Sequence, residues 1–269
     1  MSQAGQELRT VLMVAKRELL RVLRNPVRAL TGFIQPLLYL FVLGNGLGSI
    51  VQAGSGGGDY KTYLFPGVVA MNILSSAIFS GVSIVWDREF GFLREMLVAP
   101  VSRTSILMGK IIGGSTVATA QGCLMLALAP TVGVHLTLLS VLGFIGGALL
   151  MAFSLTSLGV FIAGRMKRME SFQIVMQMLL LPMIFLSGVM FPLRGLPVWL
   201  TVLTRLNPIS YAVDPLRRIL LGNAPILEAL HSGITLFGRV LPVWGELTVM
   251  GGFAVLFVGM AMATFGRPE

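Results

Sequence analysis

The chain has 269 residues, 55% apolar and only 12% charged, about half the charged share of an average soluble domain. Such a chain cannot bury that much apolar surface in one core and keep a polar skin, so a bilayer must replace water around most of it. Twenty Lys and Arg against eleven Asp and Glu give a formal charge of +9. They lie between apolar runs without a basic block or interleaved aromatics, which argues for anionic head groups and against nucleic acid.

In chain order, residues 1–28 come first. Leu8, Leu12, Ala15, Leu19 and Leu23 recur at helical spacing, and Arg9, Lys16, Arg17, Arg21 and Arg24 fill much of the remaining surface. This pattern predicts an amphipathic helix on the cytoplasmic leaflet, or a basic topology anchor; both can hold together. Asn25-Pro26 ends it, because proline disfavours helical geometry in the residue before it. The apolar run that follows has no small-x-small cleavage site, so it reads as an uncleaved first span.

Six stretches are long and apolar enough to cross a bilayer as helices: Ala29–Gly48, Leu64–Trp86, Ile106–Val132, Leu138–Ala163, Phe172–Phe191 and Leu247–Phe265. Their apolar runs are continuous rather than alternating, which favours helices over a barrel. Lys110 falls near one end of the third and is expected to snorkel to the interface. The second span carries Asn72, Ser75, Ser76, Phe79 and Ser83, and the fifth starts with Gln173 and Gln177. Bonding between helices and lining a substrate path are equally open to these polar side chains. Gly44-x-x-x-Gly48, Gly109-x-x-x-Gly113 and Gly143-x-x-x-Gly147 permit close helix approach.

Between spans two and three, Asp87, Arg88, Glu89, Glu95 and Arg103 alternate with Phe90, Phe92, Leu93, Met96 and Leu97. A short helix here has one greasy and one charged face, is stopped by Pro100, and is followed by Ser102 as a cap for the third span. It either rests on lipid or docks a cytoplasmic partner. The segment 193–246 is broken by Pro197, Pro208, Pro215, Pro225 and Pro242. It is too polar to span and too apolar for a free loop, so short re-entrant helices or an interfacial hairpin are expected. Asp214, Arg217 and Arg218 can form a local ion pair there.

Fourteen of the twenty Lys and Arg fall on one side of the six-span frame, which places both termini in the cytoplasm. Missing motifs limit the chemistry. The sequence has no Gly-x-x-x-x-Gly-Lys-[Ser/Thr] phosphate loop and no His-Glu-x-x-His pair. Cys123 is the only cysteine, so neither an intramolecular disulfide nor a cysteine metal site is expected. No span holds a midplane ionisable residue for ion-coupled carriage, so energy must come from outside the chain.

Residues 17–26 (Arg-Glu-Leu-Leu-Arg-Val-Leu-Arg-Asn-Pro), the stretch Asp87–Arg103, and Leu206-Asn207-Pro208-Ile209-Ser210-Tyr211 with Arg217 resemble the ABC type-2 permeases. The likeness runs in order along essentially the whole chain; Phe92 and Arg94 depart from the small polar and acidic residues common there. The resemblance implies an all-α membrane protein with one transmembrane domain in the cell inner (plasma) membrane, a drug-resistance exporter-like subunit with no cofactor of its own. It implies a connecting helix bearing Arg17, Glu18, Arg21 and Arg24. It further implies a coupling helix through which Asp87, Arg88, Glu89, Phe92, Leu93, Glu95, Met96, Leu97, Pro100 and Arg103 meet a separate ATPase, which binds ATP and Mg. Two copies are expected to pair around a central path bordered by Asn72, Ser75, Ser76, Phe79, Gln173 and Gln177, moving an amphipathic drug-like or lipid-like substrate. Lipid-linked polysaccharide export and a non-transporting membrane scaffold are the alternatives.

Overall fold

A computed structural model describes residues 3–24, 26–46, 48, 60–91, 102–190, 193, 196–222, 234–236 and 239–265. Helix α1 (Gln3–Leu23) stops before the proline, and α2 (Pro26–Leu38) starts on it, where a missing N–H costs nothing. Pro36 removes one hydrogen bond inside α2, and the helix runs on into a π turn at Tyr39–Leu43.

Helices α3 (Tyr60–Phe79) and α4 (Val82–Glu89) form one 30-residue apolar rod. At Ser80–Gly81 its hydrogen bonds shorten to three-residue spacing, with Gly81 N–H donating to Ile78 O at 3.2 Å and Ser83 N–H to Ser80 O at 3.2 Å. This tightening coincides with backbone contact to the next helix but one. A Cβ on Gly81 would lie 2.5 Å from Gly159 O, so only glycine fits. α3 is the central element; Tyr63, Leu64, Phe65, Ile73, Leu74 and Ile78 are fully buried.

Helix α5 (Arg103–Met125) begins on Ser102, whose side chain accepts from Ser105 N–H, and continues through a 3-10 turn (Leu126–Val132) to Gly133 at φ 74°. Helix α6 (Leu138–Ala163) opens with a reciprocal capping box between Thr137 and Ser140. After it come α7 (Met169–Phe185), the short helices α8 (Val198–Leu206) and α9 (Ser210–Leu221), and α10 (Val243–Phe265). A two-residue antiparallel ladder, β1 (Thr235–Leu236) with β2 (Arg239–Val240), precedes α10. That ladder is an addition to the all-helical expectation.

Among the described residues, four helical rods are long and apolar enough to cross a membrane: Tyr60–Glu89, Arg103–Val132, Leu138–Ala163 and Val243–Phe265. Met169–Phe185 is apolar but has 17 residues. Leu139, Leu142, Val255 and Leu256 stand exposed on α6 and α10, an apolar surface suited to lipid and not to water.

The glycine pairs place the first helix. A Cβ on Gly109 would lie 2.7 Å from Val14 Cβ, and one on Gly113 would lie 3.0 Å from Ala15 Cα. Helix α1 therefore beds directly on the α5 backbone through Val11, Val14, Ala15 and Glu18. Leu8, Leu12, Leu19 and Leu23 of the apolar stripe remain exposed. Gly143 and Gly147 similarly receive Ile219 and Leu216 of α9.

Candidate functional site

At one end of the bundle a charged cluster joins α1, α4 and α5. Lys110 Nζ lies 2.6 Å from Asp87 Oδ2 and donates to Ser83 Oγ at 3.0 Å. Its distance to Glu18 Oε1 is 3.6 Å, and Arg17 Nη2 donates to Asp87 Oδ2 at 2.7 Å. Lys110 is 3% exposed, so the snorkelling expected of it is corrected. Two carboxylates from other helices hold its ammonium inside, and the interface would offer it nothing stronger. Arg21 adds a looser contact, 3.9 Å from Glu18 Oε2, and lies 5.8 Å from the Trp86 ring centroid.

The three consecutive charges that end α4 each hold a different partner. Asp87 faces α1 and α5, as above. Arg88 Nη1 donates to Gly164 O at 3.0 Å and Met166 O at 2.9 Å, where the carbonyls at the end of α6 lack helical partners. Glu89 Oε2 accepts from Met169 N–H at 3.1 Å and so caps the start of α7. One short helix end therefore gathers four others. Arg24 lies exposed just past the end of α1, and Arg103 Nη1 donates to Phe265 O at 3.3 Å. Phe92, Leu93, Glu95, Met96, Leu97 and Pro100 lie outside the described residues.

Above this cluster lies a cavity of about 420 Å³, lined by Glu18, Arg21, Gly32, Asn72, Ser75, Ser76, Phe79, Ser80, Ser83, Trp86, Gly114 and Gln121 among others. The spacing of 72, 75/76, 79/80 and 83 puts these side chains on one face of the α3–α4 rod. Asn72, Ser75, Ser76 and Phe79 are thus brought together. Gln173 and Gln177 are not among them; both lie on an exposed face of α7. Asn72 is 5% exposed; its Nδ2 donates to Gly32 O at 3.2 Å while its Oδ1 has no donor.

A second polar cluster occupies the other end. Arg217 donates to Tyr63 Oη at 3.1 Å and to the carbonyls of Gly188 and Val189 at 2.8 and 3.2 Å, with its guanidinium 4.0 Å over the Tyr63 ring. Arg218 pairs with Asp214 at 2.6 Å and lies 3.6 Å from Glu246 Oε1. The expected local ion pair thus uses Arg218, while Arg217 ties α9 to α3. Asn207 Nδ2 donates to Met183 O at 2.7 Å and Ser210 Oγ to Leu186 O at 3.0 Å. Burial pushes the Tyr211 phenol up, so it stays neutral and donates to Arg205 O at 2.9 Å. Together these bonds pin α8 and α9 to the end of α7.

Sequence reasoning missed Lys110 as a network member, Tyr63, Gln121 and Glu246. One general signal was available: a lysine inside an apolar run needs a carboxylate, though the sequence does not say which one. Among the described residues no group of His, Cys, Asp and Glu is arranged to hold a metal.

Several membrane-length helices, with a polar cavity set into the most buried of them, define a multi-pass membrane protein. The chain belongs to the ABC-2 type transporter family, whose model matches residues 9–221. It is 30% identical over 251 residues to the transport permease ycf38 of Porphyra purpurea, covering 90% of this chain and 86% of that one. Nodulation protein J of Rhizobium leguminosarum bv. trifolii is 29% identical over 77% of this chain and 79% of its own. The multidrug ABC transporter permease YbhR of Escherichia coli K12 is 30% identical over 62% of this chain and 46% of its own.

Proposed function

We propose that this permease is the membrane half of an ATP-driven exporter. Six spans place both termini in the cytoplasm, two copies surround the path, and two separate ATPase subunits dock under the loop that follows Glu89. The observation that carries this reading is the convergence of α1, α5, α6 and α7 on Asp87, Arg88 and Glu89. A push on the loop reaches all four helices at once through charge-assisted bonds, as a mechanical input from a docked motor requires. An amphipathic substrate is supported by the cavity beside that hub, whose lining combines hydroxyl and amide groups with Phe79, Val117 and Trp86. The relative named as a multidrug permease agrees with such a cargo.

The test is co-purification with a co-encoded ATPase, reconstitution in proteoliposomes, and an ATPase-stimulation screen across amphipathic drugs and lipids. Leu93→Asp places a charge on the greasy face of the expected docking helix. It should abolish stimulation while leaving the protein folded in the membrane. Full stimulation in that variant, or no ATPase that co-purifies, overturns the reading.

A further inference from the structure

At the end of the bundle away from Lys110, α9 meets α10 through three charged side chains, Asp214, Arg218 and Glu246. Asp214 and Arg218 share one face of α9, one helical turn apart, and Glu246 stands in the first turn of α10. Arg218 Nη2 lies 2.6 Å from Asp214 Oδ2 and 3.6 Å from Glu246 Oε1. Glu246 is fully buried and Asp214 is 5% exposed. Two carboxyl groups thus share one guanidinium. With both ionised, an unbalanced negative charge is left away from water, which is costly unless it is paired and hydrogen-bonded.

Hydrogen bonds do not make up the deficit. Neither oxygen of Glu246 accepts one, and nor does Asp214 Oδ2. The backbone of Ile234 comes near Glu246 without reaching the geometry of a hydrogen bond, while the Asp214 carboxyl lies within bonding reach of it. Other donors close by are spent elsewhere: Tyr211 Oη donates to Arg205 O, Ser210 Oγ to Leu186 O and Arg218 Nη1 to Leu241 O. Among the described residues, Asp214, Arg218 and Tyr211 are the titratable or charged groups that face Glu246, and all three are on α9. Helix α6, also packed on α10, has no ionisable side chain. On α5, Lys110 is held by Asp87 and Glu18, and Arg103 meets α10 at its far end, Phe265. The cluster therefore lacks a donor between two acceptors, and a single proton supplies it. Placed on Glu246, the proton donates to Asp214, which keeps its ion pair with Arg218, and the cluster becomes neutral.

We propose that Asp214 and Glu246 hold one proton between them at neutral pH, a buried proton-binding site that fastens α9 to α10. When that proton leaves to water in alkaline solution, two carboxylates face one guanidinium and α9 parts from α10. Because α9 also carries Arg217, bonded to Tyr63, Gly188 and Val189, the loss of the proton is felt at α3.

The test is infrared spectroscopy of the full chain in liposomes of ether-linked phosphatidylcholine, a lipid without carbonyl groups. At neutral pH the parent should show the deuterium-sensitive carbonyl stretch of a protonated carboxyl group, lost on alkaline titration. That band should be absent from Glu246→Gln. It should also be absent from Asp214→Asn, where Arg218 is left to pair with an ionised Glu246. Glu246→Gln keeps the shape and a donor toward Asp214, so it carries the test should Asp214→Asn fail to fold. Hydrogen exchange across residues 210–221, corrected for base catalysis, should rise at least about tenfold in the parent as the band disappears, and not in Glu246→Gln. No such band in the parent at neutral pH, or one that persists in either folded variant, overturns the proposal. An equal rise in exchange in the parent and in Glu246→Gln overturns the fastening of α9 to α10. No ATPase enters these measurements, so the proton site stands or falls apart from the permease reading.

Discussion

Replacing Lys110 tests the buried cluster most directly. Lys110→Met keeps the length of the side chain and removes the ammonium that lies 2.6 Å from Asp87 and 3.6 Å from Glu18. Removing one member of a buried pair costs about 3–5 kcal/mol, because the remaining charge stays desolvated. Here the lower end applies, since Arg17 still reaches Asp87 at 2.7 Å from a side chain that is 46% exposed. A loss of about 3 kcal/mol is more than a hundredfold in the folding equilibrium. Asp87→Met should cost a similar amount, leaving Lys110 with Glu18 alone. The double substitution removes both charges and should recover about 2 kcal/mol relative to the sum of the singles. The assay is denaturant unfolding in a fixed lipid–detergent mixture, read by tryptophan emission on all four proteins. Additivity to within about 0.5 kcal/mol would refute the network, because residues in true contact do not add.

Further outcomes follow from the other contacts. Gly113→Leu pushes into Ala15 and Glu18 and should cost about 1–3 kcal/mol by overpacking; limited trypsin digestion should then cut at Lys16 and Arg17 faster than in the parent. Glu89→Ala removes the acceptor of Met169 N–H and should cost about 1 kcal/mol, with hydrogen exchange rising at the start of α7, whereas Glu89→Gln should retain most of that protection. Arg217→Lys keeps the charge but cannot serve Tyr63, Gly188 and Val189 together; about 2 kcal/mol of stability should be lost, measured as a lower unfolding midpoint.

What could be read from the sequence was periodic or punctuated. The stripe Leu8, Leu12, Ala15, Leu19 and Leu23 recurs every third or fourth residue, and the structure leaves its four leucines exposed on α1 while Ala15 packs on Gly113. Ser102 and Pro26 act as a cap and a start because their effects depend on the backbone nearest them. The apolar run Leu138–Ala163 is continuous, and the helix has the same ends. Lys110 could not be placed this way, since Asp87 lies 23 residues back and Glu18 much farther still, each on a different helix. Arg217 and Tyr63 are 154 positions apart, so their contact has no local trace. Gly109 and Gly113 were visible as a motif, but the choice of α1 as what they receive comes only from packing. The same limit separates Asn72, Ser75 and Ser76, which share a helix face, from Gln173 and Gln177, whose helix turns them away from that cavity.

The glycine contact at Gly81 and Gly159 gives the α3–α4 rod a fulcrum. On one side is an arm of eight residues and on the other an arm of twenty, about 12 Å and 30 Å long at helical rise. For two stiff arms turning about that point, a displacement of about 1 Å at Glu89 becomes about 2.5 Å at Tyr60, the ratio of the arm lengths. Tyr60 donates to Met190 O and Tyr63 accepts from Arg217, so the long arm ends against α9 and the residues that follow α7. Such a rod would gear a small stroke at its Glu89 end up to a larger one at its Tyr60 end.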